Sequence, residues 1–572
     1  MTEILCGIDL GTTNSSIAFL KEGRPIAVDI EEGSAIVPSV VSFDEETGRT
    51  FVGRSAKNRL AAYPDQTVRS IKRLMGKETK VQLGKRSSSP EEISSLILKY
   101  LVDKASEKLG QEIKRTVITV PAYFNDAQRR ATIRAGELAG LEVSRIINEP
   151  TAASLVYDHV SFLDRIPSPY VLVYDLGGGT FDVSILEIKG EIKEVLASCG
   201  DTALGGDDFD ERLVAFFLRK LKEETGVDFS NHDRAMHVRL RETAERAKIG
   251  LSDDPFVWVK EVGLTHVNGE PVHLNLEIGR RDYEEMIGDL VQKTVAKLEE
   301  ALEEARLNLG DIGNVILVGG ATRTPLVQKT LAEMFERPIS HSIDPDLCVA
   351  LGASVQSGLI AGEPLGHILL DVTAHSLGVK TADEFDRESG DADYFSPIIR
   401  RNTKVPVRKG ELYYTIFDDQ EGVDVEVFQG ESPSCKENSL IGKFWYPLKP
   451  SPAQSSVITE FAYDKEGIVH ITLDQKGYSN RKEVTLDVRR RKVIEPGDEA
   501  KEQEILNYII EKSRRLILQD ALPEQLRKNL EELTDRYEDA MKNGKDESLI
   551  DRFEDQLLDT IEEAEERLGT IE

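Results

Sequence analysis

Two glycine-rich loops of nearly the same sequence lie far apart in this chain. Residues 9–13 are Asp-Leu-Gly-Thr-Thr, and residues 175–180 are Asp-Leu-Gly-Gly-Gly-Thr. Each loop lies between two apolar stretches of strand length, so each is predicted to form the tip of a β-hairpin. Because glycine has no Cβ, the backbone N–H groups of such a tip can close around an anion. Two facing tips would hold a polyphosphate from both sides, so the repeat predicts a nucleotide site.

The side chains of the two loops fit the same interpretation. The hydroxyls of Thr12, Thr13 and Thr180 add hydrogen-bond donors, and Asp9 and Asp175 stand at equivalent strand ends. Carboxylates placed in this way can hold a hydrated Mg²⁺. A single Gly-Thr turn most often only joins two strands. The repetition of the whole pattern favours the nucleotide site over that simpler alternative.

A third glycine signal follows a later buried strand. Residues 314–318 are Asn-Val-Ile-Leu-Val and are predicted to form a buried strand. Residues 319–323 are Gly-Gly-Ala-Thr-Arg, and Thr324 and Pro325 are typical of a helix start. The glycines would let a base or sugar approach the backbone, and Arg323 could stack on a purine. An ordinary strand-to-helix turn is the alternative for this segment.

A predicted helix over residues 240–251 carries polar residues at helical spacing, which places them on one face: Arg241, Glu245, Lys248 and Ser252. Such a stripe is usually the solvated side of an amphipathic helix. Its relevance to a nucleotide site depends on the glycine signals around it.

Length and charge limit the classes of protein that fit. A chain of 572 residues predicts three or four compact units, and a net charge of −30 argues against a nucleic acid or an anionic membrane surface as partner. We expect no signal peptide, because acidic residues begin at Glu3, and no membrane span, because no apolar run approaches about 20 residues. The four cysteines are scattered and are predicted to be buried, reduced thiols of a cytosolic protein.

Several stretches together carry a family resemblance: the first loop and residues 116–126, 146–153, 175–182 and 200–210. They resemble the DnaK-type 70-kDa heat-shock chaperones over residues 4 to about 490. The resemblance implies an α/β actin-like two-lobed ATPase domain, a β-sandwich peptide-binding domain and a short α-helical lid. The implied boundaries are residues 1–363 for the ATPase domain, 364–372 for the linker, 373–492 for the sandwich and 493–572 for a truncated lid.

The resemblance also implies a reaction, the hydrolysis of ATP to ADP and phosphate with Mg²⁺, with K⁺ as a second candidate cation. Lys72 matches the family's catalytic lysine, and Asp9 and Asp175 would hold the metal through water. The full implied catalytic set is Lys72, Glu149, Asp9, Asp175, Asp182 and Thr180. The implied nucleotide-binding set is Gly11, Thr12, Thr13, Asn14, Gly177, Gly178, Gly179, Thr180, Gly205, Gly206, Glu245, Lys248, Ser252, Gly319, Gly320, Arg323 and Asp346. Taken alone, Lys72 would be assigned to a solvated surface.

The region after residue 373 changes to a β pattern. Residues 423–427 alternate strictly between apolar and polar, and short strands are predicted over 412–417, 457–463, 468–473 and 484–488. The resemblance makes this region a domain that binds an extended apolar peptide. Val423 would line its pocket, and Ala382 and Ile416 would form an arch over the peptide. Without the resemblance, Val423 would be interpreted as a core valine.

An apolar segment at residues 367–372 precedes this region and is predicted to dock on another surface, because a plain linker would be polar. The resemblance implies that it couples the two domains and ends at Asp371. The matching coupling positions in the first domain, some of which would also engage a J-domain co-chaperone, are Pro121, Arg129, Arg145 and Asn148. For Pro121 and Arg129 the alternative is a turn followed by a helix start.

Two features are particular to this chain. Residues 383–394 form an insertion with six acids and one base, which is either a solvated loop or an acidic rim that favours clients with flanking Lys or Arg. Helices are predicted over residues 499–519, 523–542 and 546–568, a reduced lid that resembles the short-lid HscC-like bacterial subgroup. The implied partners are unfolded client polypeptides and a J-domain co-chaperone, and the need for a nucleotide exchange factor stays open.

Two other functions stay open for an ATPase of this kind. A small-molecule kinase would need neither the apolar linker nor the β-rich region. An actin-like assembly protein would polymerise with nucleotide. The linker, the β pattern and the helical tail favour the peptide-binding chaperone.

Overall fold

The structure is a computed structural model, and it consists of two compact units, Met1–Val493 and Ile494–Glu572. The residues that it describes are 4–156, 168–189, 192–229, 231, 234–339, 344–363, 368–370, 372–373, 375–381, 393–463, 468–487, 492–494, 513–514, 516–517, 522–542 and the single positions 553, 556, 557, 560, 564 and 567. Ala382, Asp371 and most of the acidic insertion and of the predicted linker therefore lie outside the described residues.

The first glycine-rich loop joins two antiparallel strands, as the sequence predicts. The strands of this half are β1 (Leu5–Leu10), β2 (Asn14–Lys21), β3 (Arg24–Ala27), β4 (Val37–Pro38), β5 (Val40–Phe43), β6 (Thr50–Val52), β7 (Thr67–Arg69), β8 (Val81–Leu83), β9 (Arg86–Ser88), β10 (Arg115–Val120) and β11 (Glu142–Asn148). The main sheet has the order β11-β10-β1-β2-β3, with β4 paired to β2. β1 runs antiparallel to β2 and parallel to β10.

The second glycine-rich loop repeats this arrangement. The strands are β12 (Tyr170–Leu176), β13 (Phe181–Lys189), β14 (Ile192–Asp201), β15 (Phe256–Val267), β16 (Glu270–Gly279), β17 (Ile312–Val318) and β18 (Ile368–Leu370). The sheet has the order β17-β12-β13-β14-β18, and β12 runs antiparallel to β13 and parallel to β17. We call residues 4–363, which hold both halves, the two-sheet region.

Helices cover the sheets of this region: α1 (Arg54–Lys57), α2 (Pro90–Leu109), α3 (Asp126–Leu138), α4 (Glu149–Val156), α5 (Gly206–Thr225), α6 (Arg234–Asp253), α7 (Arg280–Ala305), α8 (Pro325–Met334) and α9 (Cys348–Ile360). A capping box at Ser89 and Glu92 begins α2. Thr324 occupies the N-cap of α8 and Pro325 its first turn, but the Thr324 side chain makes no capping hydrogen bond. All four cysteines are free and buried, as expected.

A β-sandwich follows the two-sheet region. Its strands are β19 (Leu377–Thr381), β20 (Tyr394–Ile399), β21 (Val407–Tyr414), β22 (Gly422–Gln429), β23 (Ser439–Pro447), β24 (Ser456–Tyr463), β25 (Ile468–Gln475), β26 (Asn480–Asp487) and β27 (Lys492–Ile494). One sheet has the order β20-β19-β22-β23, and the second contains β21-β24-β25-β26. Strict alternation along β24 buries Val457, Thr459 and Phe461. Both sheets contribute to one apolar core, so residues 377–487 form what we call the sandwich.

The apolar segment before the sandwich does dock. β18 pairs in parallel with β14, with Ile368 opposite Ile192 and Leu370 opposite Glu194. Val372 then joins an apolar cluster of the two-sheet region that includes Val171. The prediction that an apolar linker docks on another surface is therefore confirmed for residues 368–370.

The second unit contains α10 (Glu524–Lys542), which matches the middle one of the three helices predicted for the tail. Its buried face belongs to a small apolar core formed by Leu516, Leu522, Leu530, Leu533, Tyr537, Leu557 and Ala564. The predicted helices over 499–519 and 546–568 lie mostly outside the described residues. Among the helices that the structure describes, none combines the length and the apolar character needed to span a bilayer.

Candidate functional site

The two hairpin tips border a cavity of about 600 Å³ in the two-sheet region. Most residues of the predicted nucleotide site line it: Asp9, Gly11, Thr12, Thr13, Asn14, Lys72, Glu149, Asp175, Gly177, Gly178, Thr180, Gly206, Glu245, Lys248, Ser252, Gly319, Gly320, Arg323 and Asp346. The predicted residues outside the lining are Gly179, Gly205 and Asp182. Residues from both halves of the two-sheet region thus meet at one cavity.

The glycines of the second tip allow the two loops to touch. A Cβ on Gly178 would lie 1.8 Å from the Thr13 hydroxyl oxygen, and a Cβ on Gly179 would lie 2.6 Å from Thr12 Cγ2. A Cβ on Gly205 would lie 2.5 Å from the Gly179 nitrogen, so these two glycines pack together beside the cavity. A larger side chain at Gly178 or Gly179 would push the tips apart, and one at Gly205 would displace the backbone of the second tip.

Three carboxylates, those of Asp9, Glu149 and Asp175, meet the Lys72 ammonium group in the cavity wall. The Asp182 carboxylate, outside the lining, interacts electrostatically with Glu149 and Lys72. Lys72 Nζ lies 2.5 Å from Glu149 Oε1, and Lys72, Glu149, Asp175 and Asp182 are 3%, 6%, 6% and 1% exposed. Burial, and next the charge of Glu149, raises the pKa of Asp9 and of Asp182 to about 7, and the same two causes raise the pKa of Asp175. The ionised forms of these aspartates are therefore disfavoured beside a single lysine, and a further cation in the cavity would stabilise them.

Two oxygen atoms of the cavity show where a cation would fit. Asp175 Oδ2 and the Thr13 hydroxyl are buried, and neither has a hydrogen-bond partner in the protein. A hard divalent cation takes oxygen ligands and often keeps several waters. An acidic wall with an unpaired carboxylate oxygen matches that chemistry, so the residues present suit a hydrated divalent cation between Asp9 and Asp175.

The opposite end of the cavity is built from the glycine turn after β17 and from one face of α6. Lys248 Nζ lies 2.7 Å from Asp210 Oδ1, and Arg323 lies 3.0 Å from both Asp344 and Asp346. Ile249, which follows Lys248, also lines the cavity and is 57% exposed. This end offers an arginine plane and an apolar side chain to a flat ring.

Ion pairs join the two halves across the cavity mouth. Lys57 and Arg69 of the first half lie 2.8 Å and 3.3 Å from the carboxylate oxygens of Glu245 on α6. Ser70 donates a hydrogen bond of 2.6 Å to Asp207, which also pairs with Arg241. Arg69, Ser70 and Asp207 were not among the site residues predicted from the sequence. The acidic start of α5 within the family motif was the signal that could have identified Asp207.

The predicted coupling residues that the structure describes lie near the acidic wall of the cavity. Arg129 donates hydrogen bonds of 2.9 Å to the Ala122 carbonyl and 2.7 Å to Asn148 Oδ1. Asn148 is the last residue of β11 and directly precedes Glu149. Pro121 follows β10, and Arg145 lies on β11, where it is partly buried. Arg129 therefore connects the loop after β10 to the strand that positions Glu149.

Tyr123 connects the acidic wall of the cavity to the segment that directly precedes the sandwich. Its N–H donates to Asp182 Oδ1 over 2.9 Å, and its carbonyl oxygen lies 3.2 Å from His375 Nε2. The Tyr123 and His375 rings also meet edge to face, with centroids 4.8 Å apart. Burial lowers the pKa of His375 to about 4, so the imidazole is neutral near pH 7.

Charged contacts extend the junction between the two-sheet region and the sandwich. Arg401 lies 3.0 Å from Glu300 Oε1 on α7 and also pairs with Glu304. Asn402 accepts a hydrogen bond of 3.2 Å from the Ser198 N–H, and Lys404 pairs with Glu194 on β14. These sandwich residues were not predicted from the sequence, because only the fold brings them against α7 and β14.

The described residues predicted to bind peptide lie on two neighbouring segments of the sandwich. Ile416 is 51% exposed, and its N–H donates to Gln420 Oε1 over 2.9 Å. Gln420 in turn donates to the Gly422 carbonyl, next to Val423. Val423 is partly buried and packs against the sandwich core. Phe417, 67% exposed, extends the apolar surface beside Ile416.

A cavity between two facing glycine-rich hairpins, with an acidic wall and one buried lysine, defines a two-lobed ATPase, here followed by a β-rich domain. The Hsp70 protein family matches residues 5–571. The chaperone protein DnaK of Thermotoga neapolitana is 40% identical over 578 residues, and those of Thermotoga petrophila and Thermotoga maritima are 41% identical. Each alignment covers 95% of this chain and 93% of the relative.

The chain belongs to the Hsp70 family. It is an ATP-dependent molecular chaperone that binds ATP and ADP, hydrolyses ATP and binds unfolded client polypeptides. Hsp70 family membership therefore agrees with the chaperone predicted from the sequence, rather than with the small-molecule kinase or the assembly protein.

Proposed function

We propose that this Hsp70 protein hydrolyses MgATP in the cavity between the two hairpin tips and uses the reaction to control peptide binding in the sandwich. The observation that carries the proposal is the buried Lys72–Glu149 pair, 2.5 Å apart and facing both glycine-rich loops. The proposed domains are residues 1–363 for ATP, 364–372 for coupling, 373–492 for peptide and 493–572 for a short lid.

In the proposed mechanism the tips of β1–β2 and β12–β13 bind the phosphates through their N–H groups and the hydroxyls of Thr12, Thr13 and Thr180. Lys72 stabilises the charge that develops on the transferred phosphoryl group, the main requirement of phosphoryl transfer. Glu149 and Asp182 orient the attacking water, and the negative charges of Glu149 and Asp9 keep Lys72 protonated. Indeed Lys72 has a raised pKa, because Glu149 and Asp9 outweigh the burial that opposes its charge.

Asp9 and Asp175 would hold Mg²⁺ through water, and the metal would neutralise charge on the phosphates. The unpaired Asp175 Oδ2 supports this assignment. The adenosine would lie between the glycine turn at Gly319–Gly320 and the face of α6 that carries Glu245, Lys248 and Ser252.

The sandwich binds an extended apolar peptide in this proposal, with Val423 in the pocket and Ile416 and Ala382 above it. The neighbouring exposed side chains of Ile416 and Phe417 support a peptide surface at this edge, since contiguous exposed apolar groups often mark a binding site. ATP binding would be relayed to this surface through Tyr123, His375 and the β14–β18 pairing.

The finer assignments are proposals of the same kind. The chain is most like the short-lid HscC-like bacterial subgroup, acts in the bacterial cytoplasm and receives clients from a J-domain co-chaperone that contacts the surface near Arg145 and Asn148. The reduced helical tail supports the subgroup, and a shorter lid should release peptide faster than a full one.

The test measures the affinity of a fluorescent apolar peptide with ADP and with ATP, in the wild type and in Lys72→Ala. We expect weaker and faster-exchanging binding with ATP in the wild type. Lys72→Ala should bind ATP, hydrolyse it poorly and stay in the low-affinity state. Peptide binding that does not depend on the nucleotide would contradict the proposed coupling. Rapid hydrolysis by Lys72→Ala would contradict the proposed catalytic role.

A further inference from the structure

We propose that Asp207 is a positioning residue for Lys72, because it ties the segment that carries Lys72 to the second glycine-rich loop. The proposal rests on the proposed role of Lys72 and adds a residue that acts on it from the other half of the two-sheet region. Asp207 does not line the cavity, and its effect would pass through its neighbours.

The carboxylate of Asp207 holds the segment just before Lys72. Ser70 Oγ donates to Asp207 Oδ2 over 2.6 Å, and Arg69 Nη2 lies 3.4 Å from Asp207 Oδ1. Ser70 is the N-cap of the short 3₁₀ helix Ile71–Leu74, which contains Lys72. A contact at its N-cap therefore sets the direction in which this single turn begins.

Ser70 needs such a contact because its backbone is unusual. Its φ of 55° and ψ of 31° lie in the left-handed region, which residues other than glycine rarely adopt. A strained conformation of this kind persists where the surrounding structure holds it in place. The short hydrogen bond to a charged acceptor supplies that restraint.

The backbone of Asp207 holds the phosphate loop of the other half. Its N–H donates to the Gly178 carbonyl over 2.8 Å, and the Gly206 N–H donates to the Gly177 carbonyl over 2.9 Å. One residue thus binds a phosphate loop through its N–H and the Lys72 segment through its carboxylate. When the two halves close around the phosphates, this connection would bring Lys72 into position beside them.

Neighbouring arginines and a hydroxyl group keep the Asp207 carboxylate ionised. Asp207 is 2% exposed, and Arg241 Nη2 lies 2.8 Å from Asp207 Oδ2. Burial would raise the pKa of Asp207, but Arg241, Arg69 and the Ser70 hydroxyl outweigh it and lower the pKa below its ordinary value. The carboxylate therefore stays ionised at neutral pH, although solvent does not reach it.

A parallel contact holds the other side of Lys72. Arg73 Nη2 lies 2.5 Å from Asp208 Oδ2, and the same arginine reaches the Gly178 carbonyl at 3.5 Å. The residues on both sides of Lys72 are therefore bound by consecutive acids at the start of α5. Asp207 carries the proposal because only its carboxylate reaches the strained Ser70.

The experiment is a double-mutant cycle with Asp207→Asn and Ser70→Gly in the full-length protein. Asp207→Asn keeps the shape and removes the charge, and Ser70→Gly keeps the left-handed backbone and removes the hydroxyl. Single-turnover hydrolysis and MgATP affinity are measured separately, with melting curves to show folding. Glu223→Gln, an exposed acid farther along α5 that pairs with Lys220, is the matched control.

We expect each single variant to lower the hydrolysis rate by about tenfold to a hundredfold, the cost of misplacing a catalytic group by about 1 Å, with MgATP affinity changed less than about threefold. The double variant should lose no more than the worse single variant, because both remove one interaction. Unchanged rates, multiplying losses or a loss confined to affinity would overturn the proposal. Lys72→Ala, measured in parallel, separates the proposed role of Lys72 from that of Asp207. A normal hydrolysis rate in Lys72→Ala would refute the role of Lys72 itself. Slow hydrolysis in Lys72→Ala with a normal rate in Asp207→Asn would refute only the positioning role.

Discussion

At the scale of single residues, the chemistry of the site depends on a few charged side chains that share one buried space. Lys72 is 3% exposed and faces a carboxylate wall that would otherwise repel a polyphosphate. Its position is useful only because the surrounding acids keep the ammonium charged in spite of burial. The same acids would be costly without a cation, which is the physical reason for expecting Mg²⁺ beside them.

The first prediction concerns Lys72→Ala. The hydrolysis rate should fall about 10²- to 10³-fold, the usual effect of removing one preorganised charge from a transition state. ATP affinity should change much less, because the two loops still bind the phosphates. Single-turnover assays and nucleotide titrations measure the two quantities, and Lys189→Ala on the exposed end of β13 is the control. A variant that hydrolyses ATP at the wild-type rate would refute the assignment.

The second prediction concerns Ile249, which lines the cavity near the turn that carries Arg323. An arginine at this position would place a guanidinium where a flat ring could lie, and such a contact contributes roughly 1–2 kcal/mol when desolvated. Ile249→Arg should therefore tighten ADP binding about tenfold and slow ADP release. Stopped-flow release of a fluorescent ADP measures this, with Ile249→Leu as the control. Equal release rates in both variants would show that the position does not contact adenine.

At the scale of elements, the junction between the two-sheet region and the sandwich is a mixture of neutral, ionic and backbone contacts. β18 extends the sheet at β14, Arg401 pairs with α7, and His375 lies against Tyr123. These contacts are few and partly solvated, so they can open without unfolding either part. Their polar character predicts sensitivity to charge and to pH.

The third prediction is a pH dependence set by His375. The folded pKa of about 4 lies below the ordinary value of 6.5, because burial at the junction disfavours the charged ring more strongly than the hydrogen bond to the Tyr123 carbonyl favours it. Stability of the junction is complete above pH 6.5 and falls as the pH drops toward 4, because the undocked state then binds the extra proton. Between pH 7.5 and 5.5 the junction should weaken about tenfold.

The other charged groups around His375 do not reverse this sign. Glu431 lies 4.0 Å from Nδ1 but already accepts two hydrogen bonds of 2.8 Å from Ser376, and Arg129 and Arg401 oppose protonation. A distance-sensitive fluorophore pair, one on each side of the junction, measures docking in the full chain. His375→Leu should remove the pH dependence over this window. A wild-type signal that stays constant from pH 7.5 to 5.5 would contradict the prediction.

The fourth prediction reverses the charge of Arg401. Arg401→Glu places a third carboxylate beside Glu300 and Glu304, so the junction should open. The ATP-induced fall in peptide affinity should shrink by at least about fivefold, the lower range of allosteric coupling. Arg400→Glu at the neighbouring exposed position is the control, and Glu304→Lys should partly restore the coupling in Arg401→Glu. Full coupling in Arg401→Glu would show that this contact does not transmit the signal.

At the scale of the whole molecule, one cavity gathers residues from segments spread over most of the two-sheet region, from Asp9 to Asp346. A ligand there bridges both halves, so binding free energy appears as stability of the entire region. The β-sandwich and the tail have cores of their own and need not share that gain.

The fifth prediction follows from this linkage. ADP or ATP with Mg²⁺ at about 100 times its Kd should stabilise the two-sheet region by about 2.7 kcal/mol and raise its melting temperature by a few degrees. Chelating Mg²⁺ should remove most of the shift, because the acidic wall then repels the phosphates. Differential scanning calorimetry measures this, with adenosine as the ligand control. A shift that is insensitive to Mg²⁺ would exclude the metal site at Asp9 and Asp175.

The local features of this protein could be predicted from its amino-acid sequence alone. The two loops, the strands around them, the α6 stripe and the alternation along β22 and β24 follow from glycine geometry and from the periods of helices and strands. The Hsp70 family and ATPase activity also followed, because several motifs had to occur together. Most residues predicted for the nucleotide site do line one cavity.

Which distant charged groups come into contact depends on the tertiary fold. The contacts of Asp207 with Ser70, of Arg401 with Glu300 and of His375 with Tyr123 join segments far apart in the chain. The periodicity of a helix or strand does not reveal such a pair, because a charged residue exposed to solvent and one that contacts a distant segment have the same local sequence pattern. Their roles arise when folding removes water from between them, since the strength of an electrostatic contact depends on the surroundings that the fold creates.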